Sequence, residues 1–407
     1  FDPVARATLV TYSRIMLISP FFFGLSSLLS SFAQVQKKFF SFAIAPLFYN
    51  IGILVGVLVF RQWWGMMGVV FGVALGAVLY FLIQVPTLVE LGKIPRIIRA
   101  IDWGLIKRIM TLSLPRTLGS SLSNLTFIAM GAIASLLAVG SISVFQFSYN
   151  IENTPLLVIG ISYAVAAFPT MSRLFSQGNK KELLAVLEST VRIICFLAIP
   201  ASILMIVLRA HVVRVLLGAG VFSWNDTRLV AAAVGLFAVS IVAQCIVLLM
   251  VRAFYAIGET KTPLRINAWS FFITLITTTG LLLWYRESVL FHDFMNSLMR
   301  TDGVVGATVI MLPLGFSIGQ IINALVLWHA FSRKMHSSRA EHRVLARAIS
   351  HMLAAGIIGG AATYASLQLA GSGVDQRTLI GVLIQALIAG SIGLAVYAII
   401  LKALGNP

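Results

Sequence analysis

The chain has 407 residues, 59% of them hydrophobic and only 11% charged, with a mean hydropathy of +0.97. Soluble domains have about a quarter of their residues charged, so a water-soluble fold is excluded. Thirty Lys and Arg against 13 Asp and Glu give a net charge of +17, which in a soluble protein would suggest nucleic acid; here cytoplasmic loops facing anionic lipid explain it, and no nucleic-acid partner is expected.

A hydrocarbon core about 30 Å thick needs roughly 20 apolar residues per helix. On that measure the sequence predicts an all-α integral membrane protein with about eleven spans. They fall near 8–34, 40–60, 64–90, 112–138, 141–171, 191–217, 228–256, 264–285, 303–331, 347–369 and 378–401. When loops are assigned alternately to two sides, Lys37, Lys38, Lys93, Arg108, Lys180, Lys181, Lys261, Arg333, Lys334 and their neighbours collect on one side. The other side, with Arg6, Arg14, Arg61, Arg209, Arg214, Arg228, Arg286, Arg300 and Arg377, has roughly half as many. Cytoplasmic loops are enriched in Lys and Arg, so the first side is expected in the cytoplasm together with the C-terminus.

Two stretches outside the spans have amphipathic spacing. Residues 287–300 place Leu290, Phe291, Phe294, Met295 and Leu298 on one face, as in a short helix lying among headgroups. The segment around Trp103, Leu105, Ile106, Ile109 and Met110 has the same character on the cytoplasmic side. An ordinary amphipathic connector would read alike in both places.

Spans one to three run as a helix, a basic turn at Gln36-Lys37-Lys38, a helix containing Pro46, and a Gly-rich helix opened by Gly65 and Gly68. Spans seven to nine repeat that order, with the turn Glu259-Thr260-Lys261, then Pro263, then Gly303 and Gly306. Both triplets start on the same side, as in transporters whose halves are related by an axis along the membrane normal. Six spans in one half against three in the other, and a start at Phe1 with no signal peptide, lead us to expect three further helices upstream.

No catalytic constellation or cofactor motif occurs. The six histidines are dispersed, no HExxH, GxSxG or P-loop spacing is found, and acids are too scattered for a Mg²⁺ pair, so an enzyme is not expected. Cys195 and Cys245 lie in apolar runs without metal spacing. A charge inside a span normally faces a cavity or a partner. Glu152, beside Tyr149, Asn150 and Asn153, is the clearest case; it reads either as a cavity-facing cation or proton site or as a structural ion pair with an arginine of a neighbouring helix. Pro155 follows and frees a carbonyl, favouring a kink and a hydrated pocket. Arg14, Arg116 and Arg252 lie one or two turns inside their spans, where they either snorkel or present guanidinium to phosphate. Thr274, Thr277, Thr278 and Thr279 form a hydroxyl patch explained by back-bonding to the helix. Gly72xxxGly76 and Gly356xxxGly360 are spaced for close helix approach.

Five segments in register resemble the MurJ/MviN family of lipid II flippases: RIMLISPFFFGLSSLLS from Arg14, APLFYNIGIL from Ala45, LPRTLG from Leu114, AVAAFPTMSRL from Ala164 and RAFYAIGETKTPLRI from Arg252. The resemblance covers essentially the whole chain. It implies a two-lobed fold of fourteen spans around a cationic cavity, the present spans being the fourth to the fourteenth. Residues 1–100 would be the remainder of the first lobe, 101–335 the second, and 336–407 an added pair forming a groove for a lipid tail. It also implies lipid II as the substrate, and Arg14, Arg116, Asn150, Glu152 and Arg252 are the candidate substrate-cavity residues of this chain.

Two departures stand out. Family members commonly carry an Asp-Arg pair where this chain has Tyr149-Asn150, and some bind sodium at positions that align with Met130, Thr274 and Thr278, none a strong ligand for a hard cation. An exporter of another lipid-linked oligosaccharide or of drugs, and a non-transporting scaffold for cell-wall synthesis, are the rival readings.

Overall fold

A computed structural model describes residues 3–35, 40–90, 102–218, 220, 222–335, 339–370 and 378–405. Its helices are α1 (Pro3–Met16), α2 (Ile18–Val35), α3 (Phe40–Val55), α4 (Arg61–Trp64), α5 (Met66–Leu82), α6 (Val85–Glu90), α7 (Trp103–Ser135), α8 (Ser141–Pro155), α9 (Ser162–Ser176) and α10 (Lys180–Leu217). There follow α11 (Trp224–Ala238), α12 (Ile241–Ala256), α13 (Lys261–Glu287), α14 (Val289–Met299), α15 (Met311–Met335), α16 (Arg339–Ala370) and α17 (Leu379–Ala403). No strand occurs among the described residues.

Eight helices are long and apolar enough to span a bilayer, and α11 with α12, bent by 46°, make a ninth if taken together. This is a multi-pass membrane protein. The eleven expected spans also include Met66–Leu82 and the Asn124–Ser135 part of α7, which are apolar but short. Trp103 opens α7 itself, so the expected separate interfacial segment there is the start of a longer helix, while α14 forms where residues 287–300 predicted it.

The chain divides into two compact units, Phe1–Trp103 and Gly104–Pro407. In the first, α3 and the π-helical turn that continues it (Gly56–Phe60) lie against α5 through glycine. A Cβ on Gly72 would stand 2.4 Å from the Gly56 Cα, and one on Gly52 would stand 2.3 Å from the Gly76 Cα. The stripe that includes Gly72 and Gly76 therefore lets two backbones touch, with no side chain between them. Ser30 Oγ, on α2, donates to Gln84 Oε1 at 2.8 Å beyond the end of α5.

In the second unit α10 is the central post, with α9, α11, α12, α16 and α17 packed on it. Its buried face, including Leu183, Leu187, Val191 and Ile194, joins one core with Leu249, Phe254 and Phe331. The spacing of Gly356 and Gly360 brings α16 against Ile203 of α10. On α13, Thr274 and Thr278 are buried with their hydroxyls over Gly319 and Gly315 of α15. Thr274 Oγ1 donates back to Ser270 O (2.8 Å), the back-bond expected from sequence.

The turn from α12 to α13 carries an ion pair. Gly258 adopts φ 75°, a left-handed conformation that ends a helix most cheaply when no Cβ is present. Glu259 then accepts from the Thr262 amide (3.3 Å) and from the ammonium of Lys334 at the end of α15. The Lys334 hydrogen bond holds this carboxyl below its ordinary range. A lowered folded pKa contributes stability above the unfolded value, about 4.3, and that contribution is lost as pH falls through the folded value. Glu259→Gln should therefore lower the unfolding temperature slightly at pH 7, by the equivalent of at most about 1 kcal/mol for so exposed a pair. The two proteins should converge in acid, which thermal unfolding in detergent across pH would show.

Candidate functional site

The bend between α11 and α12 has a local cause and a distant support. The Ser240 amide bonds to Phe237 O (2.9 Å) in a tightened turn. That bond leaves Leu236 O without its helical donor, and a buried carbonyl without a donor is costly. Ser317 of α15 supplies one, with Oγ 2.7 Å from Leu236 O. Ser317 Oγ also lies 2.9 Å from Ser240 Oγ, which in turn lies 3.0 Å from Gln244 Nε2. The other amide hydrogen of Gln244 points to Glu152 Oε1 on α8, at 2.5 Å.

These groups form one connected hydrogen-bonded chain. Gln244 donates to both Glu152 and Ser240, the Ser240 hydroxyl donates to Phe237 O (2.9 Å), and the Ser317 hydroxyl donates to the Leu236 carbonyl with Ser240 Oγ as its second acceptor. All four side chains are buried, Glu152 at 0% exposure. The chain ties α8, both halves of the bent span and α15 together. Ser317→Ala would strip Leu236 O of its donor and cut this tie, an expected loss of about 1 to 3 kcal/mol readable as a lower unfolding temperature in detergent.

Beside the chain is a cavity of about 140 Å³, whose polar wall includes Thr126, Tyr149, Gln244, Asn267, Ser270 and Asn323. Asn323 Nδ2 donates to Asn267 Oδ1 across α15 and α13 (3.1 Å), and Asn323 Oδ1, in a residue 5% exposed, has no partner among the described residues. Pro155 ends α8, and the chain continues as a wide π-helical turn, Leu156–Ile161, with Leu156 in the cavity wall. The expected irregularity at Pro155 is thus a π turn.

The residues singled out from sequence are not gathered in one place within the second unit. Glu152 meets neither a cavity nor an arginine among the described residues. Its carboxyl is sealed against Gln244, because the α8 face that bears it packs on α11. Oε2 is left without a hydrogen bond. Asn150, two residues earlier, points the other way and is exposed. Arg252 is half-buried on the last turns of α12, and Arg14 is exposed on α1 in the first unit. Arg116 is on α7, and its side chain lies outside the described residues. Gln244, Ser240 and Ser317 were not singled out; the amide of Gln244 inside an apolar run is the signal that was available.

The two departures have structural counterparts. Tyr149 packs with Phe127 (4.6 Å between ring centroids), Phe237 (5.9 Å) and Phe316 (6.2 Å), so an aromatic cluster borders the cavity at that point. Thr278 Oγ1 lies 3.8 Å from Met130 Sδ. A thioether, the back-bonded Thr274 hydroxyl and a Thr278 hydroxyl turned to that thioether do not fit sodium, which takes several oxygen ligands. Among the described residues no three His, Cys, Asp or Glu side chains are grouped to hold a metal.

The architecture is a known one. A solved structure described as lipid II flippase MurJ in an inward closed conformation superposes with a TM-score of 0.70 at 18% identity, covering 96% of this chain and 74% of that one. An inward-facing multidrug resistance MATE family transporter of the MOP superfamily superposes at 0.64 and 14% identity, covering 80% and 71%. The fold is therefore that of the MOP-type membrane transporters.

A family model described as lipid II flippase MurJ matches residues 1–375, and the chain belongs to that family. The probable lipid II flippase MurJ of Rickettsia prowazekii (strain Madrid E) is 26% identical over 333 residues, and that of Rhizobium tropici 24% identical over 420. These alignments cover 81% and 100% of this chain; the chain spans 60% and 72% of those relatives' own lengths.

Proposed function

We propose that the protein translocates lipid II, the undecaprenyl-pyrophosphate-linked disaccharide-pentapeptide used in peptidoglycan synthesis, across the cytoplasmic membrane. The observation that carries this reading is the family match over residues 1–375. The reaction is movement without bond chemistry: the headgroup passes through the protein while the tail stays in lipid, as lobes of the fold rock between two states. Residues 1–100 serve as part of one lobe and 101–335 as the other, and 336–407 supply a groove for the tail. The turn at Glu259 and the C-terminus are assigned to the cytoplasm, a reading supported by the enrichment of Lys and Arg in the loops of that side.

Arg14, Arg116 and Arg252 are the side chains proposed to meet the pyrophosphate, since guanidinium pairs bidentately with phosphate. Asn150 is proposed to contact the sugar or peptide. Glu152, given its burial, is assigned to the hydrogen-bonded chain that holds the bent span.

The reading is tested in cells whose own lipid II flippase can be depleted. Expression of this protein should restore growth and rod or cell shape. Failure to do so, with the protein present in the membrane, would favour an exporter of another cargo or a scaffold.

A further inference from the structure

A second cavity of the second unit, about 710 Å³, lies away from the polar chain. It is enclosed by the C-terminal end of α10, the N-terminal end of α11, the end of α14, and the facing ends of α16 and α17. Those ends share one side of the bundle, opposite the Glu259 turn. Four arginines line it: Arg209, Arg214, Arg228 and Arg300.

Their placement is built. Arg209 lies across Gly235 of α11, where an added Cβ would come within 3.0 Å of its Cδ, and its Nη1 reaches Met299 Sδ at 3.9 Å. Arg228 Nε donates to Arg300 O (2.7 Å), and its Nη2 donates to Asp302 O (3.2 Å). Arg214 sits over the Trp224 ring at 5.6 Å. Arg300 occupies the left-handed position that closes α14, with φ 59°, and it is the one non-glycine residue of positive φ among the described residues. Glycine or asparagine normally takes such a cap, so an arginine there is an outlier at the rim of the cavity.

Among the described residues, Arg209, Arg228 and Arg300 have no carboxylate partner. Like charges gathered in a partly enclosed site repel one another, and an anion relieves that repulsion. The inner wall adds two polar side chains, His211 and Gln385, whose Nδ1 and Oε1 are buried and interact with each other, while the Gln385 amide donates to Leu367 O (2.9 Å). The rest of the wall is apolar, with Ile206, Val207, Leu298, Met299 and Leu367. Beside it α14 leaves Leu290 (83% exposed), Phe294 and Leu298 open, as a helix lying in the headgroup layer does.

We propose that this cavity binds the phosphate of an anionic phospholipid, its guanidiniums gripping the headgroup and its apolar wall receiving the upper part of the acyl chains. Guanidinium is suited to phosphate by its planar, paired donors. The apolar wall and the interfacial α14 favour a lipid over free phosphate. The site is independent of the transported substrate, and its loss need not abolish translocation.

The test uses the full chain purified in detergent, with native mass spectrometry and thermal unfolding as readouts. The probes are dioleoyl phosphatidylglycerol, dioleoyl phosphatidylcholine and inorganic phosphate. Wild type should retain phosphatidylglycerol and unfold at a higher temperature with it, and an Arg209→Gln, Arg300→Gln variant should bind it about a hundredfold more weakly, tenfold for each charged contact. Lipid-free unfolding and gel-filtration behaviour monitor folding of the variant. Should the double variant fail to fold, the exposed Arg300→Gln alone carries the test, with a loss of about tenfold. Equal phosphatidylglycerol binding by wild type and variant, or equal retention of phosphatidylcholine, would overturn the proposal. Tight binding of inorganic phosphate alone would overturn the lipid as the source.

Discussion

Gly72→Leu should prevent the first unit from folding. The new side chain would begin 2.4 Å from the Gly56 Cα, 2.8 Å from the Gly56 N and 2.9 Å from the Gly52 O. These are backbone atoms, so no rotamer change relieves the clash. The helices must separate, which exposes every close contact along the stripe. Ordinary overpacking of a core costs about 1 to 3 kcal/mol; an obstruction against the backbone of both Gly56 and Gly52 should exceed that range. Limited proteolysis of membranes should cut within residues 40–90 in the variant and spare them in wild type. Gly24→Leu, at a glycine with nothing within 4 Å of its added Cβ, is the matched control and should behave as wild type.

Gln244→Leu should be the most damaging single change in the second unit. It removes the donor to Glu152 Oε1 and the donor to Ser240 in one step. A buried carboxyl whose other oxygen already lacks a hydrogen bond then has no partner at all. Leaving a buried polar group without its hydrogen-bond partner costs about 1 to 3 kcal/mol, and more when that group is charged. Glu152→Leu on the same background removes that group, so the double variant should recover much of the loss. A double-mutant cycle read by thermal unfolding should give a coupling of at least about 1 kcal/mol. Additive losses would mean that the two side chains act separately.

How much of this was legible in the sequence depends on the range of the interaction. Helical segments, the glycine stripes, α14 and the turn at Glu259 follow from local spacing, and the structure has them. The break at Ser240 does not. Residues 228–256 read as one span because no Pro or Gly interrupts positions 236–244, and the carbonyl that the bend frees is satisfied by Ser317, which is 81 residues away from Leu236. Glu152 stood out from sequence, but its partner lies 92 residues on, so an arginine or a cavity was as reasonable as the amide that is there. The arginines of the large cavity were assigned only to the less basic side. Nothing local showed that α16 and α17 would close around them, because that packing depends on Gly356 and Gly360 against Ile203.

The central claim is that this chain moves a lipid-linked headgroup. Vesicles containing the purified protein and fluorescent lipid II, with a reagent outside that modifies only exposed headgroups, test it directly. The account predicts that modification proceeds past the outer leaflet toward completion, at a rate lowered by Gln244→Leu. Modification that stops at the outer-leaflet fraction, equal to that of protein-free vesicles, would contradict it.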